Sequence, residues 1–144
     1  MRELIRYKVK KFLMENKNKK VAAGVLVKCN ETGRILLLLR NDVSYEPNTW
    51  GLVSGGIEPG EEILEGLKRE VNEEMGISPE IISYKFISKK YYKSKNLEFH
   101  YYEGLTNSEF TPKLDHENLD YGWFNKGELP EPLYPNMIGK INRI

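Results

Sequence analysis

Three glutamates at helical spacing are the residues of this sequence best suited to chemistry. Glu70, Glu73 and Glu74 lie at positions i, i+3 and i+4, so on an α-helix of 3.6 residues per turn they share one face. Like charges placed this way repel one another and destabilise an isolated helix. A hard divalent cation removes that repulsion, and Mg²⁺ is commonly shared between carboxylates, water and substrate phosphates. The spacing indicates a magnesium site, although for these three residues alone a charged surface helix is an equally good interpretation.

Two further charged residues accompany this acidic face. Arg69 precedes Glu73 by four residues, so we expect it to hold the Glu73 carboxylate through a charge-assisted hydrogen-bond fork. Glu61 would fall about 180° from Glu70 on an ideal helix. Glu61 therefore joins the cluster only if the glycine-rich bend before the helix turns it back, and we rank it below the other three acids.

The helix that carries the acids is expected to span about Glu61 to Met75 and to end at Gly76. Its apolar stripe is centred about 110° around the helix from the acidic face. The stripe consists of Leu64, Leu67, Val71 and Met75. One side of the helix is thus expected to pack on a sheet while the acids line a cleft.

Strand-forming segments lie on both sides of this helix. The expected strands are Val21 to Lys28, Arg34 to Arg40, Trp50 to Val53, Ile81 to Tyr92, Leu97 to Leu105 and Tyr121 to Phe124. A last short helix is expected over Asn136 to Asn142. Strands mixed with a central helix and flanking helices predict an α+β fold, an α/β/α sandwich around a mixed sheet.

A stretch of 23 residues around the acids carries a recognisable pattern. From Gly55 to Ile77 the chain reads GGIEPGEEILEGLKREVNEEMGI. This stretch resembles the Nudix box, with the family's spacing at every fixed position. Those positions are Gly55, Glu61, Arg69-Glu70-Val71, Glu73-Glu74 and Gly76-Ile77. Similarity extends over most of the chain, but Val53-Ser54 stands where many members carry Pro-Gly.

The resemblance implies a Nudix pyrophosphohydrolase, in which water attacks one phosphorus of a diphosphate bridge between a nucleoside and a variable group. Mg²⁺, for which Mn²⁺ can substitute, is the implied cofactor, because divalent cations neutralise and orient the phosphates. On this resemblance Glu73 and Glu74 are the principal metal ligands. Glu70 is a ligand or the general base, and Arg69 orients the carboxylates.

Three more positions receive roles from the resemblance. Glu61 is an auxiliary metal ligand, and Gly55 lies in the bend that presents a backbone carbonyl to the metal. Glu117, shortly before Trp123, matches a loop glutamate that serves as ligand or base in some relatives. A solvated loop glutamate is an equally good interpretation of Glu117.

Substrate contacts are harder to assign from sequence. Arg40, at the end of the second strand, is a candidate for a phosphate contact. Tyr45, and Trp50 if it is exposed, are candidates for stacking on a base, although a buried core position is the more common one for such a tryptophan. The sequence leaves open whether the substrate is a modified (d)NTP, a nucleotide sugar or a dinucleoside polyphosphate.

The bulk properties set wider limits. The chain has 144 residues and a net charge of +1, which fits a single domain over residues 1–144 and favours neither a membrane nor DNA as partner. One cysteine, Cys29, fits a reducing, cytoplasmic compartment. Residues 1–18 are basic with apolar residues at helical spacing, and we expect a helix packed on the domain. A homodimer is compatible with the sequence.

Two other functions remain at this point. One is a non-catalytic Nudix fold used for ligand sensing or interaction. It is disfavoured because a binding module does not need the repulsive cluster of Arg69, Glu70, Glu73 and Glu74. The other is an mRNA-cap hydrolase, which predicts a basic RNA-binding groove or an appended RNA-binding segment.

Overall fold

A computed structural model describes residues 2–9, 19–41 and 46–144. In these ranges the strands are β1 (Lys20–Cys29), β2 (Ile35–Arg40), β3 (Trp50–Gly51), β4 (Val53–Gly56), β5 (Ser83–Tyr92), β6 (Leu97–Thr106) and β7 (Asn118–Phe124). The helices are α1 (residues 2–9), α2 (Ile63–Met75) and α3 (Met137–Arg143). Short 3-10 turns span Pro79–Ile81 and Lys93–Lys95.

The strands form one mixed sheet in the order β3-β2-β1-β6-β5, with β4 also on β1 and β7 also on β2. Strands β1 and β6 are parallel over ten residue pairs, and the other pairings are antiparallel. β1 and β2 pair only near their hairpin and then diverge. Where these two strands diverge, β3 pairs with β2 and β4 pairs with β1. The glycine-rich segment before α2 is therefore part of the sheet.

The core lies on both faces of this sheet. Successive residues of a strand point to opposite faces, and Val25 accordingly belongs to the α2-side core while Leu26 belongs to the α3-side core. Helix α2 buries Leu67, Val71 and Met75 on the first face. Helix α3 buries Met137 and Ile141 on the second. The predicted α+β sandwich is confirmed.

Two predicted boundaries are wrong in informative ways. Helix α2 begins at Ile63 rather than Glu61, because Glu62 is extended (φ −70°, ψ 146°) and serves as the N-cap. The strand predicted through Trp50 to Val53 breaks at Leu52 and continues to Gly56, since its two halves pair with different strands. The helix end is confirmed, with Gly76 left-handed at φ 63°.

The N-terminal segment differs from expectation in its packing. Residues 2–9 are helical, but all eight are exposed, including Leu4, Ile5 and Val9. In this range the helix therefore does not pack on the domain. Lys8 falls between Leu4 and Ile5 around the helix axis, which interrupts the apolar stripe. Residues 10–18 lie outside the described ranges. Within those ranges, no helix is long and apolar enough to cross a membrane.

Candidate active site

The Arg69 side chain is the centre of the charged cluster on α2. Its Nε and Nη2 donate to the two oxygens of Glu61 at 2.9 and 3.0 Å. Its Nη1 donates to Glu70 Oε1 at 3.0 Å and to Glu73 Oε2 at 3.2 Å. Nη2 also donates to the Gly56 carbonyl at 2.9 Å. One guanidinium thus ties three carboxylates of the box to the end of β4.

Glu61 reaches this cluster because it precedes the helix. The bend at 58–60, where Gly60 has φ 81°, turns its side chain back toward Arg69, as the sequence required. Arg69 and the Glu58 amide, which donates at 3.0 Å, lower the Glu61 pKa to about 2. The expected fork of Arg69 is therefore made with Glu61 rather than with Glu73. Both Glu61 oxygens are engaged, which suits a residue that positions Arg69 better than a metal ligand.

The Glu70 side chain packs directly against Gly55 of β4. A β-carbon at Gly55 would collide with the Glu70 carboxyl group, so only glycine allows this approach. Burial raises the Glu70 pKa more than the Arg69 hydrogen bond lowers it. The charges of Glu73 and Glu117 raise it further. Glu70 thus lies in a site that already holds an excess of negative charge.

Glu74 is the most deeply buried acid of the cluster, with 5% of its surface exposed. Burial, followed by the charge of Glu70, raises its pKa to about 9, and Glu117 and Asp115 contribute. Its Oε2 atom is buried and has no hydrogen-bond partner among the described residues. A buried, unpartnered carboxylate oxygen is costly, and either a proton or a bound cation would relieve that cost.

The acids fit a divalent cation in chemistry but are not yet arranged around one. Among the described residues, no three His, Cys, Asp or Glu side chains form a ready-made metal cluster. One oxygen each of Glu70 and Glu73 accepts a hydrogen bond from Arg69. Glu73 has half of its side chain exposed and is able to turn. Mg²⁺ needs only one or two protein carboxylates when phosphates and water complete its shell.

The loop before β7 brings a further acid to the cluster. The Asp115 amide donates to the Glu74 carbonyl at 3.3 Å, and the Glu117 carbonyl accepts from the Asn41 amide at 3.0 Å. These bonds fix the loop between α2 and β2. The Glu117 side chain lies close enough that its charge raises the pKa of both Glu70 and Glu74. Glu117 is exposed, so it is also accessible to water.

A cleft of about 940 Å³ opens on the α3 side of the sheet. It meets the acidic cluster at Gly55, Gly56 and Glu117, and none of the glutamates of α2 lines it. Its other walls are aromatic and basic. They include Lys20, Arg40, Tyr92, Lys95, Phe99, Tyr134 and Lys140. A cleft with stacking and cationic groups, joined to a carboxylate cluster, has the properties needed to hold a nucleotide with its phosphates at the acidic end.

Comparison with known proteins agrees with this geometry. The NUDIX domain family matches residues 18–142. The chain belongs to the Nudix family. A relative named nucleoside triphosphatase NudI, from Escherichia coli O17:K52:H18, is 33% identical over 110 residues, which cover 69% of this chain and 78% of the relative.

Solved structures show the same Nudix fold. An Ap4A hydrolase from C. elegans superposes with a TM-score of 0.67 and 23% identity, over 85% of this chain and 93% of the other. A MutT protein from Methanosarcina mazei Go1 gives 0.68 and 23%, over 88% and 94%. The family match and the relative NudI make the chain a Nudix pyrophosphohydrolase, and Nudix hydrolases generally need divalent metal ions.

The residues predicted to contact substrate divide into three cases. Arg40 lines the cleft, and its guanidinium lies 5.0 Å from the Tyr134 ring centroid. Trp50 does not line it, because its ring packs edge-on against Phe124 at 5.3 Å in the α3-side core. This placement argues against stacking of Trp50 on a base. Tyr45 lies outside the described residues.

Several cleft residues of this Nudix enzyme were not predicted from its sequence. Phe99 of β6, Tyr134 and Lys140 of α3 line the cleft. Only a weak indication of Phe99 was present in the sequence, because aromatic residues are frequent in β5 and β6. The position of Phe99 depends on the parallel pairing of β6 with β1, and that of Tyr134 on the hydrogen bond from its amide to the Trp50 carbonyl. No local sequence pattern indicates either contact.

The contact of Gly55 with Glu70 yields a direct prediction for the Nudix site. We expect Gly55→Ala to lower kcat/KM by about tenfold to a hundredfold, because the added methyl displaces the Glu70 carboxylate and small misplacements of catalytic groups have effects of this size. Gly127→Ala is the matched control, since its methyl meets no atom of the described residues within 4 Å and Gly127 does not line the cleft. Steady-state kinetics with circular dichroism checks this. Equal losses in the two variants would contradict the role given to the contact.

Proposed function

We propose that this enzyme hydrolyses nucleoside triphosphates to a nucleoside monophosphate and pyrophosphate, with Mg²⁺ as cofactor. The observation that carries the proposal is the junction of the acidic cluster with the aromatic and basic cleft at Gly55, Gly56 and Glu117. The relative NudI, by its name a nucleoside triphosphatase, supports the substrate class.

The unpartnered Glu74 oxygen and the raised pKa of Glu70 support a cation site. Glu70, Glu73 and Glu74 would hold the ion, and a backbone carbonyl near Gly55 is a further candidate. When bound, the ion neutralises phosphate charge and makes water a better nucleophile. Mn²⁺ is expected to substitute, because it also accepts oxygen ligands.

The protein's own groups have distinct tasks in this proposal. Water adds to the α-phosphorus, and the bond from that phosphorus to the bridging oxygen breaks, so that pyrophosphate leaves with the bonding electrons. Glu117 accepts the proton from the water, because it is exposed to the cleft and lies beside the acidic cluster. Arg69 keeps Glu70 and Glu73 in place, and Glu61 holds Arg69. Arg40 is placed for contact with the phosphate chain.

A substrate panel tests the proposal. The wild-type protein is incubated with each common (d)NTP, with ADP-ribose, with diadenosine tetraphosphate and with a capped dinucleotide, in Mg²⁺ or in EDTA. Chromatography then identifies the products. We expect Mg²⁺-dependent formation of monophosphate and pyrophosphate from at least one triphosphate. Release of orthophosphate, or turnover confined to the other three substrates, would overturn the proposed substrate class.

Metal binding also predicts a stability change. A cation that binds only the native state raises the melting temperature in proportion to the logarithm of its concentration. In millimolar Mg²⁺ or Mn²⁺ at pH 8 we expect an increase of about 2–5 °C over EDTA. NaCl of equal ionic strength is the control. An unchanged melting temperature, with and without a nucleotide, would count against a cation site.

The homodimer and the cytoplasmic location stay predictions. Light scattering after size exclusion measures the mass in solution and distinguishes the possible dimer of the 16.8 kDa chain from a monomer. A monomer at all concentrations would show the dimer prediction to be wrong.

A further inference from the structure

A second groove of about 360 Å³ continues from the active-site cleft between β5, β6 and α3. It shares Tyr92, Phe99, Asn136 and Lys140 with the cleft. It adds Ser88, Lys90, Tyr101 and the first turn of α3. No residue of the acidic cluster lines it. The groove therefore extends the cleft on the side away from the site of hydrolysis.

The sheet register gives the distance between the two ends. Gly56 pairs with Ala22, Ala22 with Phe99, and Phe99 with Lys90, so these residues form one row across four strands. Three steps of about 4.8 Å place Lys90 about 14 Å from Gly56. Gly56 borders the acids through its hydrogen bond to Arg69. If a nucleoside lies between Gly56 and Phe99, Lys90 lies past Phe99, on the side of the nucleoside away from Gly56.

The groove brings two cationic side chains together. Lys90 and Lys140 both line it, and neither forms an ion pair with an acid in ranges 2–9, 19–41 or 46–144. Burial, and then the charge of Lys90, lower the Lys140 pKa. Each ammonium group lies over an aromatic ring. Lys90 Nζ is 4.9 Å from the Tyr92 ring centroid, and Lys140 Nζ is 5.3 Å from the Tyr101 ring centroid. Two converging ammonium groups without a described counter-charge are suited to an anion.

A buried donor lies in the same groove. Tyr101 is 4% exposed, and its hydroxyl has no hydrogen-bond partner among the described residues. Buried phenols normally have a partner. The Tyr101 hydroxyl therefore has an unfilled capacity to donate a hydrogen bond to an acceptor such as a phosphate oxygen.

We propose that this groove binds a phosphate attached to the ribose on the side away from the scissile chain, with Lys90, Lys140 and Tyr101 as its contacts. The proposal rests on the proposed function, because the polyphosphate must occupy the acidic end. The preferred substrate would then be larger than a simple nucleoside triphosphate. The far phosphate has two possible sources, a 3′-phosphorylated mononucleotide or the next nucleotide of an oligonucleotide that carries a 5′-triphosphate.

Binding of product-like ligands tests this without hydrolysis. Calorimetry compares a nucleoside 5′-monophosphate, the matching 3′,5′-bisphosphate and a 5′-phosphorylated dinucleotide, for each of the four bases. The proteins are the wild type, Lys90→Gln and Lys85→Gln. Lys85 is the matched control, since it is an exposed lysine of β5 that does not line the groove. Each variant loses one charge.

We expect the wild type to bind the bisphosphate about tenfold more tightly than the monophosphate, as one charge-assisted contact allows. This ratio should fall to near one in Lys90→Gln and stay unchanged in Lys85→Gln. A further gain with the dinucleotide identifies an oligonucleotide end, and no further gain identifies a mononucleotide. Equal affinities for mono- and bisphosphate in the wild type, or equal ratios in both variants, would overturn the inference. The proposed function would still stand if the substrate panel is positive.

Discussion

Glu74→Gln is expected to give an enzyme that is more stable without metal and at least about a thousandfold less active. The loss of activity follows because Gln lacks the charge that holds the cation, and a bound cation contributes several kcal/mol to charge stabilisation in the transition state. The gain in stability follows from burial. Glu74 is 5% exposed and its pKa is raised to about 9, so its ionised form destabilises the native state.

The pH dependence of stability follows from the direction of this shift. The native pKa of Glu74 lies near 9 and the unfolded one near 4.5, so the native state holds the proton more tightly. The stabilisation is complete below about pH 4.5 and is lost as pH rises toward 9. Gln cannot ionise. In EDTA at pH 8.5 we expect Glu74→Gln to unfold with about 1–3 kcal/mol more free energy than the wild type, and at pH 4.5 with nearly the same.

Urea denaturation at the two pH values, together with kinetics in Mg²⁺, measures both effects. Glu65→Gln is the matched control, because Glu65 lies on the same helix with 66% of its side chain exposed and should change neither quantity. A Glu74→Gln variant that is fully active, or that is less stable at pH 8.5 in EDTA, would contradict the placement of Glu74 in a metal site.

Glu117→Gln is the second substitution for which we expect a large loss of activity. If Glu117 accepts the proton from water, the variant should lose about 10²- to 10⁴-fold in kcat. KM should change little, because a proton acceptor acts mainly in the transition state. The acidic limb of the pH–rate profile should flatten, since that limb reports protonation of the base. Rate measurements between pH 5 and 9 give all three quantities.

Asp120→Asn serves as the control for Glu117→Gln. Asp120 is an exposed acid on the following strand that does not line the cleft, and its hydrogen bond to the Tyr121 amide survives in Asn. Rescue of Glu117→Gln by high Mn²⁺ would show that Glu117 is a metal ligand instead. An unchanged rate would show that Glu117 is a solvated loop residue. Glu70 would then be the candidate for the general base, since Arg69 holds the pKa of Glu61 at about 2.

The parts of the fold governed by local patterns could be predicted from sequence. Helical periodicity and Gly76 placed the acidic helix to within two residues of its start. The shared face of Glu70, Glu73 and Glu74 follows from helix geometry, and the contact of Arg69 with Glu73 follows from their i,i+4 spacing. From the sequence, Glu61 could join the acidic cluster only if the bend before the helix turned it back. Gly60, with φ 81°, lies in that bend.

What the sequence did not reveal depends on contacts between distant segments. The parallel pairing of β1 with β6 joins residues more than seventy positions apart. This pairing places Phe99 of β6 in the wall of the cleft. The different burial of Glu73 and Glu74 likewise depends on the loop at 113–117 packing over one side of α2. Trp50 was a candidate for base stacking on its residue type alone, and its true neighbour, Phe124, belongs to β7.

Binding of Mn²⁺, followed by the electron paramagnetic resonance signal of the free ion, tests the central claim that the acids of α2 hold a divalent cation. The titration compares the wild type with Glu73→Gln, Glu74→Gln and the control Glu65→Gln, all at one pH and ionic strength. We expect saturable binding in the wild type and in Glu65→Gln, and at least about tenfold weaker binding in the other two variants. Equal Mn²⁺ affinity in all four proteins would contradict the account.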